Sequence, residues 1–275
     1  MIDLVAVKAE QERRRRKYRK ELDRCSADIV YWCNTYVKGY DPRLIERGLS
    51  PVVPFVLYPF QERALEKLQW AVENRKNILI EKSRDMGWSY LTIIFDVHGW
   101  LFVPGWKAGW GSYKQEKVDR RGDMDSMFEK ARHMIGELPT WMQPEGFRVG
   151  GEYDNFMRII NPATGAQITG EVGDNVGRGG RNTRYTLDEF AFFLRPENAE
   201  KGVSQNANCV VYVSTVNGQG NLFYRKRMSM PAEQIIISDW REHPLKDQAW
   251  YDEMKEKLDK VTLAQEIDRD YAAGS

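Results

Sequence analysis

Three residues in the stretch ILIEKSRDMGWSYLTIIF could do chemistry together: Lys82 ends an apolar run, Gly87 closes a polar turn, and Ser89 opens a second apolar run. A strand that feeds a helix through such a turn presents free backbone N–H groups to an anion. Gly87 permits close approach of the backbone, and Ser89 stands where phosphate-binding loops place a hydroxyl on Mg2+. Ser83, Arg84, Asp85, Met86 and Trp88 would line the turn. The usual phosphate-binding pattern has Lys directly after its second Gly; Trp88 holds that place here, and the first Gly is missing. A bound polyphosphate needs a compensating cation, so either Lys82 at the strand end or Arg84 in the turn would supply it from a displaced position. Taken alone, the segment reads equally as a plain strand, turn and helix.

The segment TRYTLDEFAFF runs from apolar residues to the adjacent carboxylates Asp188 and Glu189. Two carboxylates at a buried strand end cost desolvation unless they work on a metal or a water. Asp188 would hold Mg2+, directly or through water, and Glu189 would polarise an attacking water. In VVYVSTVNGQG an apolar run ends in Ser214 and Thr215, polar groups able to sense a terminal phosphate. In GDNVGRGGRNTR the residues Arg178, Arg181 and Arg184 sit among glycines. A flexible loop of this kind can carry an arginine to a phosphoryl transition state, contact a nucleic-acid phosphate, or simply be solvated. In LYPFQERAL, Gln61 could make two hydrogen bonds to an adenine edge, with Tyr58 or Phe60 stacking on its face.

The elements that must position these groups follow from periodicity. Residues 77–81 form a short apolar strand, YLTIIFDVHGWLF an apolar helix and KAGWGSY a second strand. Residues 115–138 read as one helix, and 147–170 as a hairpin or meander with turns at Asn161-Pro162 and Thr164-Gly165. TRYTLDE, CVVYVST and IIISDW are further strands, and the pattern turns polar and helical after about residue 222. Strands alternating with helices predict an α/β protein with a mainly parallel sheet, helices on both faces, and ligands beyond the carboxyl ends of the strands. Lys82–Ser89, Asp188-Glu189 and Ser214–Gly218 all fall at that edge. The chain of 275 residues allows one large domain plus an appendage. Its 41 basic and 40 acidic residues exclude a globally basic nucleic-acid coat. Three scattered cysteines fit neither a disulfide framework nor a zinc site. No apolar run is long enough for a signal peptide or membrane span, so a soluble intracellular protein is expected. Residues 8–24 read as a helix with a cationic stretch from Arg13 to Lys20, either solvated or a phosphate contact.

Taken together, these residues resemble the ATPase domain of the large subunit of viral terminase, the motor that packages double-stranded DNA into tailed bacteriophages. The resemblance runs from about Pro51 to Tyr271 in the family's order: PFQ, EKSRDMGWS, GRGGR, YTLDE and VSTVNG. It implies a P-loop NTPase of the additional-strand, catalytic-glutamate (ASCE) type. The implied division is an N-terminal helical arm (1–50), an ATPase core (51–222) and a small C-terminal lid or linker subdomain (223–275). It implies ATP and Mg2+ as ligands. Glu189 would be the catalytic glutamate, Lys82 the phosphate lysine, and Asp188 with Ser89 the metal site. Tyr58, Gln61, residues 83–89, Ser214, Thr215 and Asn217 would contact nucleotide or couple its hydrolysis to movement. Arg178, or less directly Arg181, would act in trans. Some terminases are similar in placing the lysine at the start of the loop and an aromatic residue before the serine, which supports Lys82 and leaves Arg84 as rival or helper. The implied partners are double-stranded DNA, a portal protein, a small terminase subunit and further copies of the chain in a ring on the procapsid, in the host cytoplasm. Large terminases continue into a nuclease domain; the chain stops at AQEIDRDYAAGS, where that domain would begin, so DNA cleavage is not expected of it. DNA contact would be local, through Lys114, Lys117, Arg120 and Arg121. Two other functions compete: a helicase-type ATPase, and a non-catalytic DNA- or portal-binding module on a decayed loop.

Overall fold

The protein is described here by a computed structural model covering residues 4–173 and 176–273, with side chains from Glu10 onward. Asp174 and Asn175, part of the Gly- and Arg-rich segment, lie outside the described residues. The chain opens with α1 (Leu4–Ala27), α2 (Ile29–Tyr36), β1 (Lys38–Tyr40), β2 (Val52–Pro54) and α3 (Pro59–Glu73). It continues through β3 (Ile78–Lys82), α4 (Trp88–Phe102), β4 (Lys107–Ser112), α5 (Gln115–Val118) and α6 (Met127–Gly136). Then follow β5 (Asp154–Asn155), β6 (Arg158–Ile160), β7 (Gln167–Val172), β8 (Arg184–Asp188), α7 (Pro196–Asn206) and β9 (Val210–Ser214). The last elements are α8 (Leu222–Ser229), β10 (Ile235–Ser238) and α9 (Gln248–Lys257), ahead of a short helical stretch that ends at Ile267.

The main sheet has the order β10-β3-β9-β8-β4-β7-β6-β5. The strands from β10 to β7 are parallel, and β6 and β5 are antiparallel additions beyond β7. Every residue of β3, β8 and β9 is buried, which explains their near-continuous apolar runs: helices cover both faces of the sheet. Side chains alternate between the faces. Ile78 and Ile80 of β3 join the core under α2, α3, α4 and α6, with Trp110, Ile168, Val211 and Val213. Leu79 belongs to the opposite core, with Tyr185, Leu187, Tyr212, Phe223 and the α7 residues Ala199 and Val203.

Four expectations change. The helix expected over 115–138 is split into α5 and α6, because Gly122 turns the chain at φ 77° and the Ser126 hydroxyl caps α6 by accepting the Glu129 N–H at 3.3 Å. The N-terminal arm does not end cleanly at residue 50: β1 pairs with β2 across that point, and Cys25, Trp32 and Cys33 are part of the core. The sheet likewise runs past residue 222, since β10 pairs with β3 and supplies an edge strand. Arg184, which the sequence places among mobile arginines, is a fourth change: it is fully buried. Its Nη2 donates to Asp96 Oδ2 at 2.8 Å, to the Thr92 carbonyl and to Thr186 Oγ1. Trp110 Nε1 donates to the same Asp96 oxygen at 2.7 Å.

Asp96→Asn leaves the Arg184 guanidinium without a countercharge in a dry interior. It is expected to lower the unfolding free energy by about 3 kcal/mol, visible as a reduced urea midpoint with an unchanged m-value.

Candidate active site

β3 delivers Lys82 to the carboxyl edge of the sheet, and the turn to α4 begins there. Asp85 sits in the left-handed region at φ 58° and Gly87 at φ 79°. A Cβ on Gly87 would also lie 2.8 Å from Gln61 Nε2, so both the backbone angle and the packing call for glycine. The Ser83 N–H donates to the Ser238 carbonyl, and the Arg84 N–H to the Glu266 carbonyl. Beyond them the amides of residues 85–89 donate to no protein group among the described residues. A run of free N–H groups curling into a helix N-terminus is an anion cradle. Met86 is buried, and Trp88 turns inward, with 2% of its surface exposed. The indole lines a cavity of about 230 Å³ between α3 and β10, together with Phe60, Arg63 and Ser238. The position usually held by the phosphate lysine therefore serves packing, and the mouth of the turn is left to Lys82.

The carboxylates reach the same edge from β8. Sheet register sets Glu81 beside Ser214 and Asp188 beside Val213, so β9 stands between the strand of the lysine and the strand of the acids. Asp188 alternates onto the α4 face, as Lys82 does. Glu189 follows it in the left-handed conformation (φ 55°, ψ 44°), which turns its side chain back over the strand ends. Lys82 Nζ donates to Glu189 Oε1 at 3.2 Å. Burial works against the Lys82 ammonium, yet Glu189 and Asp188 beside it hold its pKa above the ordinary lysine value. Burial raises the pKa of Asp188, and the neighbouring Glu189 adds to the rise against the pull of Lys82 and Lys130. No donor satisfies the Asp188 carboxylate among the described residues.

Ser214 Oγ accepts the Ala191 N–H at 3.2 Å and donates to Glu189 Oε2 at 3.5 Å. Asn217 Nδ2 donates to the Ala191 carbonyl at 3.1 Å, and Thr215 is buried beside them. The polar end of β9 thus grips the turn that carries Glu189. One carboxylate and one hydroxyl, from Asp188 and Ser89, match the sparse protein ligand set that Mg2+ takes when substrate phosphates and water complete its shell. The described residues hold no cluster of three or more His, Cys, Asp or Glu fit for a metal on its own.

Other expected residues lie differently. Gln61 is buried; its Oε1 accepts the Tyr58 N–H at 3.0 Å and its Nε2 reaches the Met86 carbonyl at 3.4 Å, so the amide supports the turn. Tyr58 packs edge-on against His243, 4.9 Å between ring centroids. Arg84 pairs with Glu266 and with neither Asp188 nor Glu189. Arg178 is exposed and runs beside Gly202 of α7, on the face opposite Lys82 and Asp188. Arg181 precedes β8; at about 3.3 Å per residue it stands roughly 20 Å from Asp188. Neither touches the site of its own chain. Of the four expected DNA contacts, Arg120 pairs with Asp123 and Arg121 with Asp154, leaving Lys114 and Lys117. One cation near the site escaped the sequence reading: Lys130 of α6 is half-buried, its Nζ donates to the Asp125 carbonyl at 3.0 Å, and burial pushes its pKa down against the pull of Asp188. Its only signal was a lysine on an otherwise apolar helix face.

The strand order, with an extra strand between the phosphate-turn strand and the acid strand, defines an α/β P-loop NTPase fold of the ASCE type. No family model matches the sequence, and no curated protein does. Among solved structures the fold is that of phage large terminase ATPase domains. The Thermus phage P74-26 large terminase ATPase domain is similar at 15% identity and a TM-score of 0.54, with 71% of this chain and 88% of that one covered. The large terminase of bacteriophage HK97 is similar at 12% identity and a TM-score of 0.59, with 91% and 55% covered. A large terminase from a thermophilic bacteriophage, solved with ADP, is similar at 12% identity and a TM-score of 0.56, with 78% and 53% covered. The chain thus spans about half the length of these last two proteins.

A carboxyl whose folded pKa is raised stabilises the fold fully only below its unfolded value and loses that contribution as pH rises through the folded value. Asp188→Asn is therefore expected to raise the melting temperature at pH 7 by a few degrees, with the gain vanishing below about pH 4, the ordinary carboxylate range. Thermal scans between pH 4 and 8 check this.

Proposed function

We propose that this chain is a Mg2+-dependent ATPase, the motor domain of a terminase large subunit, whose hydrolysis drives double-stranded DNA into a viral procapsid. The observation that supports it best is the meeting of Lys82 with Glu189 at 3.2 Å beside the free amides of residues 85–89. In this reading the amides and Lys82 take the β- and γ-phosphates of ATP. Lys82 exchanges the Glu189 carboxylate for phosphate oxygens, which frees Glu189 to orient a water and accept its proton. Asp188 and Ser89 would hold Mg2+, which when bound supplies charge neutralisation between the phosphates. Ser214 and Asn217 hold Ala191, so a shift of Glu189 on loss of the γ-phosphate passes into β9 and the segment after it. Tyr58 flanks the adenine side; Gln61 exchanges its backbone bonds for the adenine edge or keeps them and braces the turn.

Arg178, with Arg181 as second candidate, is assigned to the site of a neighbouring copy in a ring, since neither pairs with the acids of its own chain. The portal protein, the small terminase subunit and duplex DNA are the proposed partners, in the host cytoplasm; no helix among the described residues is long and apolar enough to cross a membrane. A helicase-type ATPase would be stimulated by single strands rather than duplex, and a non-catalytic module would bind no nucleotide.

Phosphate release with Mg2+ and ATP tests the assignment. Glu189→Gln and Lys82→Ala should each lower kcat by about 10²-fold, the scale of losing a positioned base or charge. Arg84→Ala should keep most of the activity; the reverse pattern makes Arg84 the phosphate cation. Mixing Arg178→Ala with Glu189→Gln subunits should restore activity above either alone if Arg178 serves a neighbour. Absence of calorimetric heat with Mg2+ and a non-hydrolysable ATP analogue would end the nucleotide reading.

A further inference from the structure

β3 ends in two charged residues that alternate onto opposite faces. Lys82 goes to the acids; Glu81 goes to the α8 side and is 3% exposed. Glu81 Oε2 accepts from Arg227 Nε at 2.7 Å and from the Tyr271 hydroxyl at 3.0 Å, and Oε1 accepts from Arg269 Nη1 at 2.7 Å. Arg269 also pairs with Asp239, and its backbone sits in the left-handed region at φ 59°. A carboxylate this deep is tolerated because it is shared by two guanidiniums and a phenol.

The segment that supplies Arg269 and Tyr271 also grips the start of the phosphate turn. Ser83 Oγ donates to the Ile267 carbonyl at 2.7 Å and accepts the Trp240 N–H at 3.1 Å. The Arg84 N–H donates to the Glu266 carbonyl at 2.7 Å, and Lys246 Nζ donates to the Arg84 carbonyl at 2.6 Å. Residues 263–267 form a single widened π turn, a geometry often found where a helix serves a site. The turn is therefore held from two sides. The amides of residues 83 and 84 belong to β10 and the C-terminal segment, and those of 85–89 are free for a ligand.

We infer that Glu81 is a positioning residue for the phosphate turn, acting through Arg269 and residues 263–271, so that the turn and the C-terminal segment are ordered together. Coupling of this kind is reciprocal: loosening the segment loosens the turn, and a ligand that orders the turn orders the segment. The ligand half of the inference rests on the nucleotide reading above; the structural half stands without it.

Hydrogen exchange on the full chain separates the two. Without nucleotide, Arg269→Gln should speed exchange of the hydrogen-bonded amides of Ser83 and Arg84 by about tenfold, the scale of one charged hydrogen bond, while β8 and β9 keep their protection. Tyr271→Phe, which removes a single hydroxyl and leaves both guanidiniums on Glu81, should speed them by less. With Mg2+ and ATP-γ-S, exchange over 263–271 should slow in the wild type and not in Arg269→Gln. KM for ATP should rise about tenfold in that variant with kcat within about twofold, and Arg269→Lys should recover part of the loss. Wild-type exchange at Ser83 and Arg84 in both variants overturns the inference. If the turn loosens in Arg269→Gln while the wild type gives no heat with ATP-γ-S, the clamp stands and the nucleotide reading falls. If Arg269→Gln does not fold, unchanged exchange at Ser83 and Arg84 in Tyr271→Phe alone overturns it.

Discussion

An ammonium and a carboxylate 3.2 Å apart, Lys82 and Glu189, organise the functional edge of this molecule. Lys82 ends a strand buried on both faces and Glu189 follows directly on another, so the Lys82 ammonium could not be placed there alone without a desolvation cost of several kcal/mol. The pair also spans a gap. β9 lies between the two strands, and the parallel register makes the ends of β3, β9 and β8 level. That alignment brings Ser214 to within 3.5 Å of the same glutamate, and puts Asp188 on the face that α4 and its N-terminal amides occupy. Without the inserted strand, β3 and β8 would be neighbours in one hydrogen-bonded ladder.

The turn after β3 shows how local geometry and packing divide the work. Its residues Asp85 and Gly87 take the left-handed conformation, and the amides of 85–89 donate to no protein group among the described residues. Trp88, which replaces the usual lysine, contributes apolar surface to the core under α3. Burying the apolar surface of the indole anchors the helix start, with its Nε1 left without a hydrogen-bond partner among the described residues. The same logic applies on the other face, where Glu81 takes arginines from α8 and from the C-terminal segment. Charges at the end of one short strand thus tie the carboxyl edge of the sheet to two separate parts of the chain.

Much of this was legible in the sequence. Short segments carrying apolar, aromatic or β-branched residues and bounded by turns mark β3, β4, β8 and β9, and the chemically suggestive groups stand at or just after their ends, so their place at the carboxyl edge follows from chain direction alone. Arg184 and the helix over 115–138 misled for physical reasons. An arginine in a Gly-rich context reads as mobile until a buried partner is known, and Asp96 lies far away in sequence. Helical periodicity survives a break when the residues after it resume the same face, as α6 does after Gly122.

By itself, then, the sequence determined the fold class, the polar ends of the strands, and the residue types able to hold a phosphate, because these depend on short-range periodicity and on which residue follows which. Only the tertiary structure decided which cation meets which acid: that Lys82 pairs with Glu189 while Arg84 is taken by Glu266, that Arg178 and Arg181 stand away from their own acids, and that Glu81 gathers Arg227, Arg269 and Tyr271. Those choices are set by strand order and by contacts between residues more than a hundred positions apart, and no local pattern encodes them.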